Sequence, residues 1–188
     1  MDDRISWLRV PTEDELPEAV LELWAPSREK LGFVPNVLRL YALRPTRLLA
    51  WNAWYEEAMK GESGLSKAER EMIAVVVSVA NDCAYCTAAH SAALRKLTKD
   101  PPLADAIAAD HATASVEPRV RSMLAYAEKL TLHPTQMTGS DVSSLREAGW
   151  SDEDVMDIAE VTGLFNMSNR MASGLGWVPN PEYETLGR

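Results

Sequence analysis

The chain has 188 residues, 46% of them hydrophobic and 25% charged, and its 19 Lys+Arg against 28 Asp+Glu leave a net charge of −9. That composition excludes wholesale disorder, collagen-like repeats and low complexity, and the acidic balance disfavours phosphate backbones and anionic lipid as partners. At roughly 100 to 200 residues per domain, the length suits a single domain over 1–188, and no linker long enough to divide it is visible.

The segment Met1, Asp2, Asp3 lacks the basic-then-apolar order of a signal peptide. The longest nearly unbroken apolar run, Met72 to Ala80, is about half of a bilayer crossing. A cytoplasmic protein is expected, with neither nucleic acid nor membrane as a partner.

The elements read as helices throughout, because Ala and Leu far outnumber Val and Ile and no stretch alternates strictly between apolar and polar. Thr12 and Glu15 form a capping-box pattern ahead of a first helix that carries Val20, Leu21, Leu23 and Trp24 and ends at Gly32. Asn36 to Leu43 reads as a short helix closed off by Pro45, and Pro45 to Lys60 as a third that starts on proline and stops at Gly61. Ser66 and Glu69 are a second capping-box pair, opening a helix of Met72, Ile73, Val75, Val76, Val77 and Val79 that is apolar nearly all round and so central. Asn81 and Asp82 interrupt it, and Cys83 to Leu97 reads as a new helix capped by one of them. Pro102 to Ala109, Arg119 to Thr131, Asp141 to Ala148 and Asp152 to Ser173 complete eight or nine helices.

Two internal echoes run through this pattern. A shift of 85 residues lays Ser66, Ile73, Ala74, Val76 and Asn81 on Ser151, Ile158, Ala159, Val161 and Asn166. It reads either as a duplicated helical hairpin or as two capped apolar helices that coincide. Ser168 and Met171 stand where the first copy has Cys83 and Cys86, so thiol chemistry belongs to one copy. The second echo, Leu31 to Asn36 against Leu175 to Asn180, marks one kind of turn used twice.

The chemistry concentrates between Leu65 and Leu94. Cys83, Cys86 and His90 share one helical face. Thiols in the first turn of a helix meet unpaired N–H groups and the positive end of the dipole, which favour a thiolate. An ordinary cysteine is only about 3% ionised at pH 7, so a lowered pKa can raise the thiolate fraction more than tenfold. His90, one turn past Cys86, is placed to move a proton. If the two helices close as an antiparallel hairpin, Glu71 lies within about 3 Å of level with His90 along the axis and is placed to orient the imidazole.

Plainer readings stand beside these. Cys83, Cys86 and His90 equally resemble part of a zinc site, but His111 and His133 are the only other imidazoles and no second cysteine pair exists. Glu71 also suits a helix start or a bridge to Arg70 or Lys67, and His90 suits a satisfied core position. Tyr85 is open between core, substrate donor and pocket wall. The six tryptophans (Trp7, Trp24, Trp51, Trp54, Trp150, Trp177) and the Met167/Met171 pair read as core or interface.

Glu71, eleven residues, Cys83-Ala84-Tyr85-Cys86, three residues and His90 resemble the signature of the alkylhydroperoxidase D family within the carboxymuconolactone decarboxylase-like group. Gly32 to Asn36 and Ser66 to Glu71 look like its branch of uncharacterised peroxidase-related proteins. The resemblance implies an all-α, compact multi-helix fold, assembly as a homotrimer or homohexamer, and no bound cofactor. It also implies reduction of hydroperoxides through Cys86 as attacking thiolate, Cys83 as resolving thiol, and Glu71 with His90 as proton relay. An external dithiol, carried in the best-known member on a lipoyl adaptor, closes such a cycle. Tyr85 replaces a second histidine found in those members. The decarboxylase relatives lack the cysteine pair, which argues against lactone decarboxylation. A redox sensor or disulfide exchanger on the same scaffold is the alternative; the thioredoxin-like form of exchange is disfavoured because no strand is evident.

Overall fold

The computed structural model describes residues 4–188, and the reading of Met1, Asp2 and Asp3 lies outside them. Among the described residues the helices are α1 (Glu18–Leu31), α2 (Asn36–Tyr41), α3 (Pro45–Lys60), α4 (Lys67–Ala80), α5 (Ala84–Thr98), α6 (Pro101–Asp110), α7 (Pro118–Leu132), α8 (Gly139–Glu147) and α9 (Asp152–Leu175). Single 3-10 turns lie at Glu13–Glu15, Pro134–Gln136 and Pro181–Glu184, and no strand is present among these residues.

Local chemistry explains most boundaries. Ser66 Oγ accepts the Glu69 N–H at 3.2 Å while Glu69 Oε2 accepts the Ser66 N–H at 2.7 Å, a capping box that satisfies two orphan donors at the start of α4. Ser151 and Asp154 repeat it for α9 at 3.1 and 3.0 Å. Pro45, Pro101 and Pro118 each occupy the first position of a helix, where a missing N–H costs nothing.

The Thr12 box departs from expectation, since it closes only the 3-10 turn Glu13–Glu15 and α1 starts afresh after Pro17. Leu16 precedes that proline and is extended (φ −100, ψ 141), so a helix cannot run through it. α2 likewise stops at Tyr41 rather than Leu43.

α4 is the axis of the molecule, packed by α5, α6, α7 and α9. Ile73, Ala74, Val75 and Val77 have no exposed surface. Around them lie Leu94, Met123, Leu124, Ile158, Leu164 and Phe165. Ile158→Ala, at a site of zero exposure, should lower stability by about 2 to 5 kcal/mol. A urea midpoint that falls while the transition slope holds would show this.

The 85-residue echo coincides at its start and diverges at its end. α4 stops at Asn81 and the chain turns back, whereas α9 runs unbroken past Asn166 to Leu175. The corresponding asparagines touch, Asn81 Nδ2 donating to Asn166 Oδ1 at 3.1 Å. The shorter echo is one turn used twice, with Gly32 (φ 82) and Gly176 (φ 63) closing α1 and α9 in the left-handed conformation that glycine adopts without a Cβ penalty. The two turns are also strapped together. Asn36 N–H donates to Asn180 Oδ1 at 2.7 Å, and Asn36 Nδ2 to the Val178 carbonyl at 3.0 Å.

Candidate active site

The site begins where α4 hands over to α5. Asp82 N–H bonds to the Val79 carbonyl and Cys83 N–H to the Ser78 carbonyl, each at 2.9 Å, and Asp82 is left-handed at φ 51. This is a Schellman closure with aspartate, one of the few residues besides glycine that tolerates the conformation, in the special position. The cap of α5 therefore differs from expectation. Asn81 closes α4, and Cys83 itself is the N-cap of α5. Cys86 occupies the third helical position, so both sulfurs still meet the N-terminal turn of α5.

The tight turn brings α4 and α5 together as an antiparallel pair, the most extensively packed pair of helices among the described residues. Glu71 and His90 then meet, with Glu71 Oε2 at 2.7 Å from His90 Nδ1. A carboxylate only accepts, so Nδ1 carries the hydrogen and Nε2 is left as the basic nitrogen. Phe165 of α9 packs edge-on against the imidazole at 4.4 Å between centroids. Glu71 makes no bridge to Arg70, whose guanidinium donates to the carbonyls of Ala58 and Gly61 at 3.2 and 2.8 Å. The helix-start role belongs to Glu69.

Cys83 and Cys86 are free and only 2% and 4% exposed. They share a proton unequally. The Cys86 side chain, its backbone N–H and the Ser173 side chain bonded to the Cys83 sulfur, aided by the charge of His90, bring the Cys83 thiol down to about 6 in spite of burial. The bond to Cys83, burial and the negative charge of Cys83 push the Cys86 thiol up, while the Asn169 side chain opposes them. These opposed shifts favour the thiolate on Cys83 over one on Cys86. A depressed pKa means that the thiolate persists above its midpoint and is lost as pH falls through it. Thiolate absorbance should accordingly show one ionisation near pH 6 and a second displaced far to the alkaline side. One ionisation near the ordinary value of about 8.5 would contradict the shared proton.

The sulfurs differ in access. A cavity of about 750 Å³ is lined by Cys86, with His90, Phe165 and Ser168 also on its wall, whereas Cys83 lies behind it. Its other walls include Trp51, Tyr55, Tyr85, Trp177 and Tyr183. Trp51 and Trp177 are therefore cavity wall as well as core. Tyr85 lines the cavity from a 4% exposed position and its hydroxyl accepts the Val37 N–H at 2.8 Å. Burial raises the Tyr85 and Tyr55 phenols well above their usual value and brings Tyr41 and Tyr183 to about 12, so all four remain neutral at ordinary pH.

Sequence reasoning missed Asn169, Phe165 and the carboxy-terminal Tyr183. Asn169 is 1% exposed, donates to Ser78 Oγ at 3.1 Å and receives Asn81 Nδ2 at 3.0 Å. Its signal was Asn81 at the helix break, whose amide needs partners from another helix. His111 lies against Glu128 at 3.3 Å, and no group of three or more His, Cys, Asp or Glu suited to a metal ion occurs among the described residues. No described helix is long and apolar enough to cross a membrane.

An all-helical scaffold sets Cys86 and His90 on one cavity wall, with Cys83 and Glu71 as their partners off that wall, and comparison with known proteins places the chain in a family. The sequence pattern of the Carboxymuconolactone decarboxylase family matches residues 45–129. A peroxidase-related protein from Silicibacter sp. TM1040 is 44% identical and superposes with a TM-score of 0.95, over 99% of this chain and 97% of that one. The alkylhydroperoxidase AhpD core protein from Ralstonia eutropha JMP134, also peroxidase-related, is 41% identical with a TM-score of 0.95, over 98% and 97%. The debrominase Bmp8 shares the fold at 16% identity with a TM-score of 0.81, over 99% of this chain and 97% of its own. The chain belongs to the carboxymuconolactone decarboxylase family, in its alkylhydroperoxidase D-like, peroxidase-related branch.

Proposed function

We propose that the protein is a dithiol peroxidase that reduces organic hydroperoxides. The observation that carries the reading is Cys86 on the wall of a cavity, one helical turn from an imidazole fixed by Glu71 at 2.7 Å. Passing its proton along the bond to Cys83 gives Cys86 the charge at the sulfur that substrate can reach. Attack on the peroxide forms the S–O bond and breaks the O–O bond, leaving sulfenic acid on Cys86. The departing alkoxide takes one proton from solvent, relayed through His90 Nε2, and leaves as an alcohol. The Cys83 thiol then attacks the Cys86 sulfur, and the displaced hydroxyl leaves with the Cys83 proton as water.

The disulfide so formed is reduced by an external dithiol, with two electrons and two protons returned per cycle. Burial of both sulfurs favours a slender dithiol that enters the cavity, of the lipoyl type, over exchange with thiols on a protein surface. Trimeric or hexameric assembly belongs to the same proposal. The test counts free thiols before and after one equivalent of tert-butyl hydroperoxide, then repeats the exposure with excess dihydrolipoamide. Loss of both thiols followed by continued peroxide consumption supports the enzyme. Oxidation without turnover would make it a redox sensor, and untouched thiols would remove the peroxidase reading.

A further inference from the structure

The cavity reports on the rest of the substrate, given the peroxidase reading above. Cys86, Ala89, His90, Ala93 and Lys96 all face it, at spacings that hold them to one stripe of α5. At 1.5 Å per residue the stripe is about 15 Å long from the sulfur to the lysine backbone, roughly the length of an extended chain of a dozen carbons. The lining is mostly apolar, with Leu23, Trp51, Phe165 and Leu186 beside the α5 alanines. A hydrogen peroxide molecule would leave nearly all of that surface unused, since pockets of this size enclose ligands of drug-like bulk.

The cavity also carries exposed cations, Lys96 standing ten residues along α5 from Cys86. Lys30 and Lys96 both line the cavity. The carboxy-terminal segment joins them, because Phe33 packs edge-on to Tyr183 at 5.7 Å and Arg95 Nη2 donates to the Tyr183 carbonyl at 2.6 Å. The acid on the cavity wall, Glu56, is occupied by Lys60 at 2.7 Å. Among the described residues, no carboxylate lies within ion-pair distance of Lys30 or Lys96. Lysine in the last turn of a helix complements the dipole, but that alone does not set two exposed, unpaired cations beside one largely apolar cavity on a chain of net charge −9.

We propose that the cavity takes the hydroperoxide of a straight-chain carboxylic acid. The peroxide lies at Cys86, the chain along the α5 stripe and the carboxylate at Lys30 and Lys96. The lysines select the substrate and take no part in the sulfur chemistry.

The test separates this proposal from the peroxidase reading by measuring binding without a peroxide. Dodecanoate and dodecan-1-ol, below their aggregation limits, are titrated against the reduced full-length protein, with tryptophan fluorescence reporting through Trp51 and Trp177. The acid should bind about tenfold more tightly than the alcohol, as expected for two partly exposed cations. The preference should shrink with added salt and vanish in the Lys30→Gln/Lys96→Gln double variant, whose affinity for the alcohol stays unchanged. Equal affinity for acid and alcohol, a preference that survives in the double variant, or no binding of either would each overturn the proposal. A parallel arm follows thiol loss with a hydroperoxide of linoleate, its methyl ester and tert-butyl hydroperoxide. The free acid should outpace the ester in wild type only. Acid-selective binding with no thiol loss to any hydroperoxide would sink the peroxidase reading and leave the carboxylate site standing as a binding site.

Discussion

Single-turnover consumption of an organic hydroperoxide is expected to fall by about a thousandfold or more in Cys86→Ser, because removing the nucleophile leaves only binding and positioning. Cys83→Ser should behave differently. The cavity-facing sulfur remains, so the first step proceeds, slowed by loss of the proton-sharing partner, and stops at sulfenic acid on Cys86 that dimedone traps for mass spectrometry. This contrast is sharper than it looks from charge alone, since the resting thiolate is centred on Cys83. If charge rather than access chose the nucleophile, the trapped acid would appear on Cys83 in the Cys86→Ser protein, and the two roles would have to be exchanged.

Glu71→Gln carries the second large effect. The carboxylate holds His90 Nδ1 at 2.7 Å in a position only 8% exposed. The amide keeps the shape but can donate as well as accept, so it no longer imposes one tautomer on the ring. A loss of about a hundredfold in the single-turnover rate is expected, the usual scale of a displaced general acid or base. His90→Gln should lose as much, and the double variant no more than either alone, because two groups that act as one unit are not additive. Losses that multiply would mean that Glu71 and His90 act separately. Thermal unfolding of the same variants distinguishes this from simple destabilisation, since a merely structural Glu71 would lower the melting temperature and leave the pH profile in place.

The helical order, the buried character of α4 and the Glu71, Cys83, Cys86, His90 grouping were legible because each rests on interactions local in sequence. Caps such as Ser66 with Glu69 span three residues, and the α4–α5 hairpin turns within three. Errors fell where local signals competed. The Thr12 box is real, but Pro17 stops it one turn later. Asn81 and Asp82 both favour caps, yet the left-handed turn at Asp82 passes the N-cap to Cys83, and no periodicity argument distinguishes those registers. The cavity was illegible for a different reason. Trp51, Phe165, Trp177 and Tyr183 come from distant parts of the chain, and apolar residues at helical spacing look the same whether they face core or cavity. Even the second echo, read correctly as a repeated turn, concealed the hydrogen bonds from Asn36 to Asn180 and to the Val178 carbonyl that strap its two copies together.

The position of Cys83 has a thermodynamic consequence. Its surroundings favour a thiolate at the start of α5, and a disulfide has no such anion to offer. Oxidation to the proposed disulfide would discard that stabilised thiolate, raising the midpoint of the couple and making the disulfide easy to reduce. A mild cellular dithiol should be able to restore the pair completely, and the oxidised protein should unfold at a lower temperature than its short loop closure alone would suggest. A thiolate favoured on Cys83 in the reduced protein would keep the proposed disulfide from becoming a resting place.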